Sequence, residues 1–318
     1  MKSCLACWLF ILGLGCARSA DDRATPRRAP VLKTDLGKVE IFPADNPWNE
    51  NIADRPVHPR SRQYLESVGL TKPLHPDFGT VWNGAPTGIP YVVVDPDQQK
   101  TVVEFEYADE SDPGPYPIPA NPPIEGGPKA PLDSDRHILM IDPKHKRLYE
   151  LYQAIPLANG RWKAGSGAIF DLTSNELRPQ GWTSADAAGL PIFPGLARYD
   201  EIVEQGELRH ALRFTVKKTQ RAYLSPARHF ASRSNDPNLP PMGLRVRLKA
   251  DYDITRFPRP AQVILRGLKT YGMLLADNGG DWFVSGCPDP RWNDEALNTL
   301  KRVQVRDFEA VDTGELEK

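Results

Sequence analysis

His137-Ile-Leu-Met-Ile-Asp142, Pro143-Lys-His-Lys146 and Leu148-Tyr-Glu-Leu-Tyr152 form two runs of apolar, β-branched and aromatic residues with a turn-forming tetrapeptide between them. Such a pattern predicts an antiparallel hairpin, and it spreads outward in both directions. Downstream, Arg161-Trp-Lys-Ala-Gly-Ser-Gly-Ala-Ile-Phe170, His210-Ala-Leu-Arg-Phe-Thr-Val216, Gly243-Leu-Arg-Val-Arg-Leu-Lys-Ala250 and Asp281-Trp-Phe-Val-Ser285 read as strands. Upstream, residues 89–94 and 101–107 do the same, and Asp95-Pro96-Asp97 between them predicts a second hairpin. Helical spacing of apolar residues is confined to 61–68, 261–271 and 294–303. Strands with one polar and one apolar face belong to antiparallel sheets. The expected fold is therefore mainly β, an antiparallel β-sandwich or distorted barrel with a few peripheral helices. Strand and helix do not alternate regularly, which argues against a doubly wound α/β fold.

The chain has 32 prolines in 318 residues, about twice the usual share of roughly 5%. Proline breaks helix interiors and central strands, so connections are expected to be long and irregular. Eight of them fall in Asp112 to Pro131, which reads as a proline-rich surface arm that Tyr116 and Ile118 pack against its own domain. At the start, Met1-Lys2 precedes an apolar run over 5–14, the pattern of a secretory signal too short to span a bilayer. Two processing readings are open: cleavage after Ser19 in Ala17-Arg18-Ser19, or a lipid anchor at Cys16. Residues 20–38 read as a flexible leader and 39–318 as one β-rich domain, of which 39–88 wraps over the main body. No later run predicts a transmembrane helix.

Cys4, Cys7 and Cys16 belong to the signal, leaving Cys287 alone in an exported chain, where neither an internal disulfide nor a cysteine-based zinc site can form. Loss of Lys2 and Arg18 with the signal takes the formal net charge from −1 to −3, which argues against nucleic acid and anionic membrane surfaces as partners.

The segment over 165–196 carries small residues, paired hydroxyls, Asp171, Asp186 and Trp182. It is too polar for core and too rich in glycine and aromatics for a linker, so it reads as a loop held in shape for a purpose. Asp171 and Asp186 are candidates for the two carboxylates of glycosidic cleavage, although each also fits a turn or helix cap. Trp162, Trp182 and Tyr199 offer faces for a sugar ring, and Asn175 offers a polar contact. His137, His210 and His229, each preceded by an arginine, are candidate bases. Arg136 and Arg228 are candidate clamps for an anionic group such as a uronate. No HExxH or HxH spacing supports a metal centre, so no metal and no cofactor is expected. Ser166 lacks the Gly-x-Ser-x-Gly elbow of esterases. Residues 276–281, Ala-Asp-Asn-Gly-Gly-Asp, lack a calcium-loop pattern and read as a turn.

Phe42-Pro-Ala-Asp-Asn-Pro-Trp-Asn49, Tyr107-Ala-Asp-Glu-Ser-Asp-Pro-Gly-Pro-Tyr-Pro117, Ser134-Asp-Arg-His137, the segment over 165–196, Arg209-His-Ala-Leu-Arg-Phe214, Pro226-Ala-Arg-His229 and Tyr271-Gly-Met-Leu-Leu-Ala-Asp-Asn-Gly279 together resemble a family of exported bacterial proteins to which no activity is assigned. The resemblance covers nearly everything after the leader and implies one extended domain in a secreted or periplasmic protein. It implies no catalytic residue. The expected function is cleavage of a polysaccharide by hydrolysis or elimination. The alternatives are a non-catalytic module that holds a glycan or partner, and a metal-dependent hydrolase.

Overall fold

The structure, a computed structural model, describes residues 28–35 and 37–318. The expected signal, Cys16 and the first part of the leader lie outside the described residues. The fold is mainly β. A six-stranded mixed sheet runs in the order Phe308–Ala310, Arg245–Leu248, Met273–Asn278, Leu212–Val216, Phe283–Ser285 and His75–Asp77, and a four-stranded sheet in the order Ser166–Asp171, Arg147–Tyr152, Ile138–Asp142 and Tyr91–Val93. Among the described residues three α-helices accompany them: α1 (Ser61–Val68), α2 (Arg259–Thr270) and the short α3 (Asp294–Asn298). Among the described residues no sheet closes into a barrel, and no helix is long and apolar enough to cross a membrane.

The two strands around the Pro143 turn pair as a hairpin, Ile138 opposite Leu151 and Asp142 opposite Arg147. Its two faces serve two cores. Leu139, Ile141 and Leu148 join Ala168 and Phe170 against the six-stranded sheet. Ile138, Met140, Tyr149 and Leu151 face the opposite way, into a smaller core with Val94, Val103, Trp162, Tyr116 and Ile118. The proline-rich arm thus packs on its own chain through Tyr116 and Ile118, both buried. Each such burial contributes on the order of 1.5–3 kcal/mol, enough to hold a segment that makes few backbone bonds of its own.

Several expectations are corrected. The runs over 89–94 and 101–107 do not pair with each other: Tyr91–Val93 lies parallel to Ile138–Asp142, whereas Val103–Phe105 lies parallel to Trp162–Ala164 in a separate three-stranded sheet. The run over 161–170 is likewise two strands, broken at Gly165, where a Cβ would stand 2.6 Å from the Tyr152 ring. The end of the leader is ordered, since Val31–Thr34 and Gly37–Glu40 pair as a hairpin that buries Leu32 and Val39. Residues 75–77, within the expected wrap, form an edge strand, and Asp277, read as part of a turn, lies on the strand Met273–Asn278.

The polar faces of the strands are not solvated as alternation suggested: Leu212–Val216 and Arg245–Leu248 are buried at every residue. Arg245 donates to the carbonyls of Tyr271, Pro47 and Glu50, and Arg247 donates to those of Ile52 and Arg55 and to Glu309. The segment around 47–55 therefore covers this polar face, with the arginines as its fasteners. A buried guanidinium meets its donor requirement here on backbone oxygens.

Candidate functional site

The segment over 182–193 lies between the two large sheets and is fastened from both. His137 Nε2 approaches the Ala185 carbonyl at 3.0 Å and His229 Nδ1 the Ala187 carbonyl at 2.8 Å. Arg213 grips Asp186 with two bonds of 2.8 Å each. Glu150, from the four-stranded sheet, accepts the amides of Ile192 and Phe193, and Ser166 Oγ donates to the Ser184 carbonyl at 2.6 Å. Gly189 takes a φ of +70°, with the Trp182 carbonyl 2.4 Å from where a Cβ would be. The segment is shaped as expected, but from Ser184 onward it is almost wholly buried: its polarity is consumed internally.

Most of the residues selected from sequence therefore carry structural roles. Asp171 closes the surface turn by accepting from the Thr173 amide and hydroxyl and pairs with Arg147 at 2.5 Å. Asp186 is sealed against Arg213, so the two aspartates share no bonding partner. His210 is buried between Glu201 and the Ala211 carbonyl. Arg136, at a φ of +44°, is buried and donates to the carbonyls of Ala154 and Ala130, whereas Arg228 is half-buried and donates its Nε to the Arg178 carbonyl. Trp162 belongs to the smaller core, Trp182 is covered by the Arg178 guanidinium, and Tyr199 by that of Arg291 at 4.1 Å. Asn175 links Asp45 and Asn46. The three histidines do not converge, and among the described residues no group of three or more His, Cys, Asp or Glu side chains is placed to hold a metal ion.

Beside this segment, along the seam where the sheets meet, Asp77, Glu125 and Asp277 keep access to water. Register places Asp77 opposite Ser285 and sets Ser285 in line with Arg213, whose Nη1 donates to its hydroxyl at 2.5 Å. On the other side of Arg213 the ladder holds a β-bulge. Phe214 pairs with Leu275, but Thr215 pairs with Asp277, so Ala276 is an extra residue. The bulge turns Asp277 onto the face that carries Arg213, 3.9 Å from its guanidinium, which is how bulges commonly re-aim a side chain. The carbonyl of Ala276 accepts the Ala188 amide at 2.9 Å, so the same irregularity anchors the central segment.

Facing this row are His137 and Tyr152 from the four-stranded sheet and Glu125 from the proline-rich arm. Glu125 Oε2 lies 2.6 Å from His137 Nδ1. Both imidazole nitrogens thus face acceptors, a carboxylate and a carbonyl, and only the imidazolium satisfies both. Burial opposes that charge, but Glu125 and then Asp135 outweigh it and raise the His137 pKa to about 9. His137 is consequently a fixed cation at neutral pH, unsuited to act as a base. Burial pushes Glu125 up, yet His137 and Arg213 bring it below the ordinary carboxylate value. Asp277 moves the other way: burial and then the charge on Asp186 push it up to about 7, against the pull of Arg213. Asp77 is also raised, by burial and then by Glu125. Glu125 and Asp277 are crowded by protein yet keep 25% and 30% of their side chains exposed.

No protein-family model matches the chain, and no curated protein or solved structure is significantly similar to it. The functional reading rests on this geometry alone. Sequence reasoning reached His137 but missed Asp77, Glu125 and Asp277. Glu125 had one local signal, a carboxylate between Ile124 and Gly126-Gly127 in the middle of the proline tract. Asp277 had another, its place at the end of the apolar run Met273-Leu-Leu-Ala276.

Proposed function

We propose that the chain is an exported carbohydrate-active enzyme that hydrolyses a polysaccharide at this seam, with Asp277 as the proton donor and Glu125 as the ionised partner carboxylate. The observation that carries the reading is the opposite displacement of the two carboxyl groups. Asp277 is raised to about 7 and Glu125 is lowered within one charged cluster that water reaches. Glycosidic cleavage needs one carboxyl group protonated to assist the leaving oxygen and another ionised to activate water or attack the sugar. His137 keeps Glu125 charged, and Arg213, already neutralised by Asp186, limits how far Asp277 rises.

Elimination, the other route considered, needs a cation free to neutralise a uronate carboxylate. His137 and Arg213, the cations at the seam, are already bonded to Glu125 and Asp186, which favours hydrolysis. The apolar run at 5–14 supports export to where such polymers occur.

The test is a screen of the purified chain on neutral and uronic-acid polysaccharides, reading new reducing ends together with the absorbance of unsaturated sugars. Reducing ends without unsaturation, abolished in Asp277→Asn, are expected. Unsaturated products would make it a lyase, and saturable binding without product would make it a glycan-holding module.

A further inference from the structure

Beside Asp77 the surface opens into a groove of about 540 Å³ whose walls include His75, Phe283, Trp82, Thr87 and Lys301. His75 and Phe283 stack on each other with ring centroids 4.0 Å apart, forming a flat floor. Trp82 stands over it on a two-residue hairpin that pairs Val81 with Pro86 and Trp82 with Ala85. Asn83 and Gly84 turn the chain at φ values of +49° and +79°, the left-handed pair that a tight hairpin turn requires. The hairpin is fastened at its root, where Thr80 donates its amide at 3.0 Å and its hydroxyl to Asp294. At its tip it leaves Trp82 72% exposed. Fixing the root while leaving a large aromatic face in water is costly unless something covers that face, because a tryptophan offers 150–250 Å² of mostly apolar area.

Two contacts connect this groove with the seam. Asp77 belongs to both, as a wall of the groove and as a neighbour of Glu125 and Arg213. The loop that carries Glu125 also reaches the hairpin, since a Cβ on Gly127 would stand 3.9 Å from that of Ala85. The groove therefore adjoins the charged cluster through Asp77.

We propose that Trp82 is a sugar platform: the groove takes one pyranose ring of the polysaccharide chain, its C–H face against Trp82 and its hydroxyls toward Asp77, Thr87 and Lys301, as a subsite next to the point of cleavage. The proposal rests on the hydrolase reading and adds the position of substrate along the surface. A pyranose presents an apolar face with polar edges, which is what an aromatic plate with a polar rim complements. Neutral and acidic sugars share that face, so the probes separate them.

The experiment is calorimetric titration of the full chain, carrying Asp277→Asn to prevent turnover, with xylohexaose and cellohexaose as neutral probes and hexagalacturonate as the acidic one. Binding of at least one probe is expected, weakened about tenfold by Trp82→Ala and largely retained by Trp82→Phe, with an unchanged melting temperature because the side chain is exposed. Binding that Trp82→Ala leaves intact would overturn the platform while leaving the hydrolase reading untouched. Absence of binding to all three probes would also overturn it. The hydrolase reading would fail with it only if the wild-type chain also released no reducing ends from any polysaccharide.

Discussion

Glu150 and Asp277 are two carboxyl groups pushed to about the same pKa, near 7, mainly by burial, yet they belong to different parts of the molecule. Glu150 is fully enclosed, and its oxygens are taken by the amides of Ile192 and Phe193. Asp277 meets Arg213 only at 3.9 Å and keeps 30% of its side chain in water. The same contrast separates the buried segment over 182–193 from the seam beside it. In the first, the charges are enclosed and satisfied by neighbours; in the second, carboxylates are held close to buried cations and keep access to water. A shifted pKa is thus a sign of function only where a substrate can reach the group, and the sequence, which displays charge but not access, drew attention to the first region.

The largest expected effect tests the structural half of this contrast. Asp186→Ala strands Arg213 in the interior, and breaking a buried pair in this way costs about 3–5 kcal/mol. Urea denaturation should show the loss directly, and a variant within 1 kcal/mol of wild type would remove Asp186 from its structural role. Asp277→Asn tests the other half. Turnover should fall by about 10²–10⁴-fold, while the fold stays intact. Glu150→Gln, which replaces an equally shifted group by a near-isostere, should leave turnover within a few-fold. If the two variants lost activity equally, access would not be what distinguishes them.

The pH dependence sharpens the comparison. A donor that titrates near 7 should give a rate that falls above about pH 7, a limb that disappears in Asp277→Asn. Stability should fall in the same direction. Asp277 and Glu150 both bind a proton more tightly folded than unfolded, so each favours the fold least once pH has risen past about 7. His137 is also raised, so its contribution is complete below the ordinary histidine value and is lost as pH rises through about 9. Glu125, lowered, acts oppositely: its contribution is present above the ordinary carboxylate value and is lost as pH falls. Melting temperatures between pH 5 and pH 9 should therefore decline toward the alkaline end. The smallest effect belongs to Asp171. Its exposed pair with Arg147 should contribute well under 1 kcal/mol, and Asp171→Asn should leave turnover unchanged.

Strand periodicity located the fold class and the strands of the four-stranded sheet because burial on a pleated surface leaves a local mark: Ile138–Asp142, Arg147–Tyr152, and in the larger sheet Leu212–Val216 and Arg245–Leu248, stand out as apolar runs or clean alternation. Partnership left no such mark. Tyr91–Val93 and Val103–Phe105 look like a hairpin, yet each finds a parallel neighbour elsewhere, because pairing is decided by which core each strand's apolar face can reach. The candidate site was less legible for the same reason. Glu125, Asp77 and Asp277 come from an arm, an edge strand and a central strand far apart in the chain, and only the folded sheets bring them together. His137 was recognisable, but its role changed once both ring nitrogens were seen to face acceptors.

Ala276 has no reactive atom, and replacing its methyl group by another small side chain would alter little. What matters is that it is counted. Because it is the extra residue between Leu275 and Asp277, excising it would leave an even ladder in which Asp277 follows Leu275 directly and keeps its place opposite Thr215, while withdrawing the carbonyl that holds Ala188. Its contribution is therefore its backbone, which fits the central segment to the sheet, and not its side chain. A survey that substitutes one residue at a time would pass over this position, whereas one that shortens the chain by single residues would find it at once.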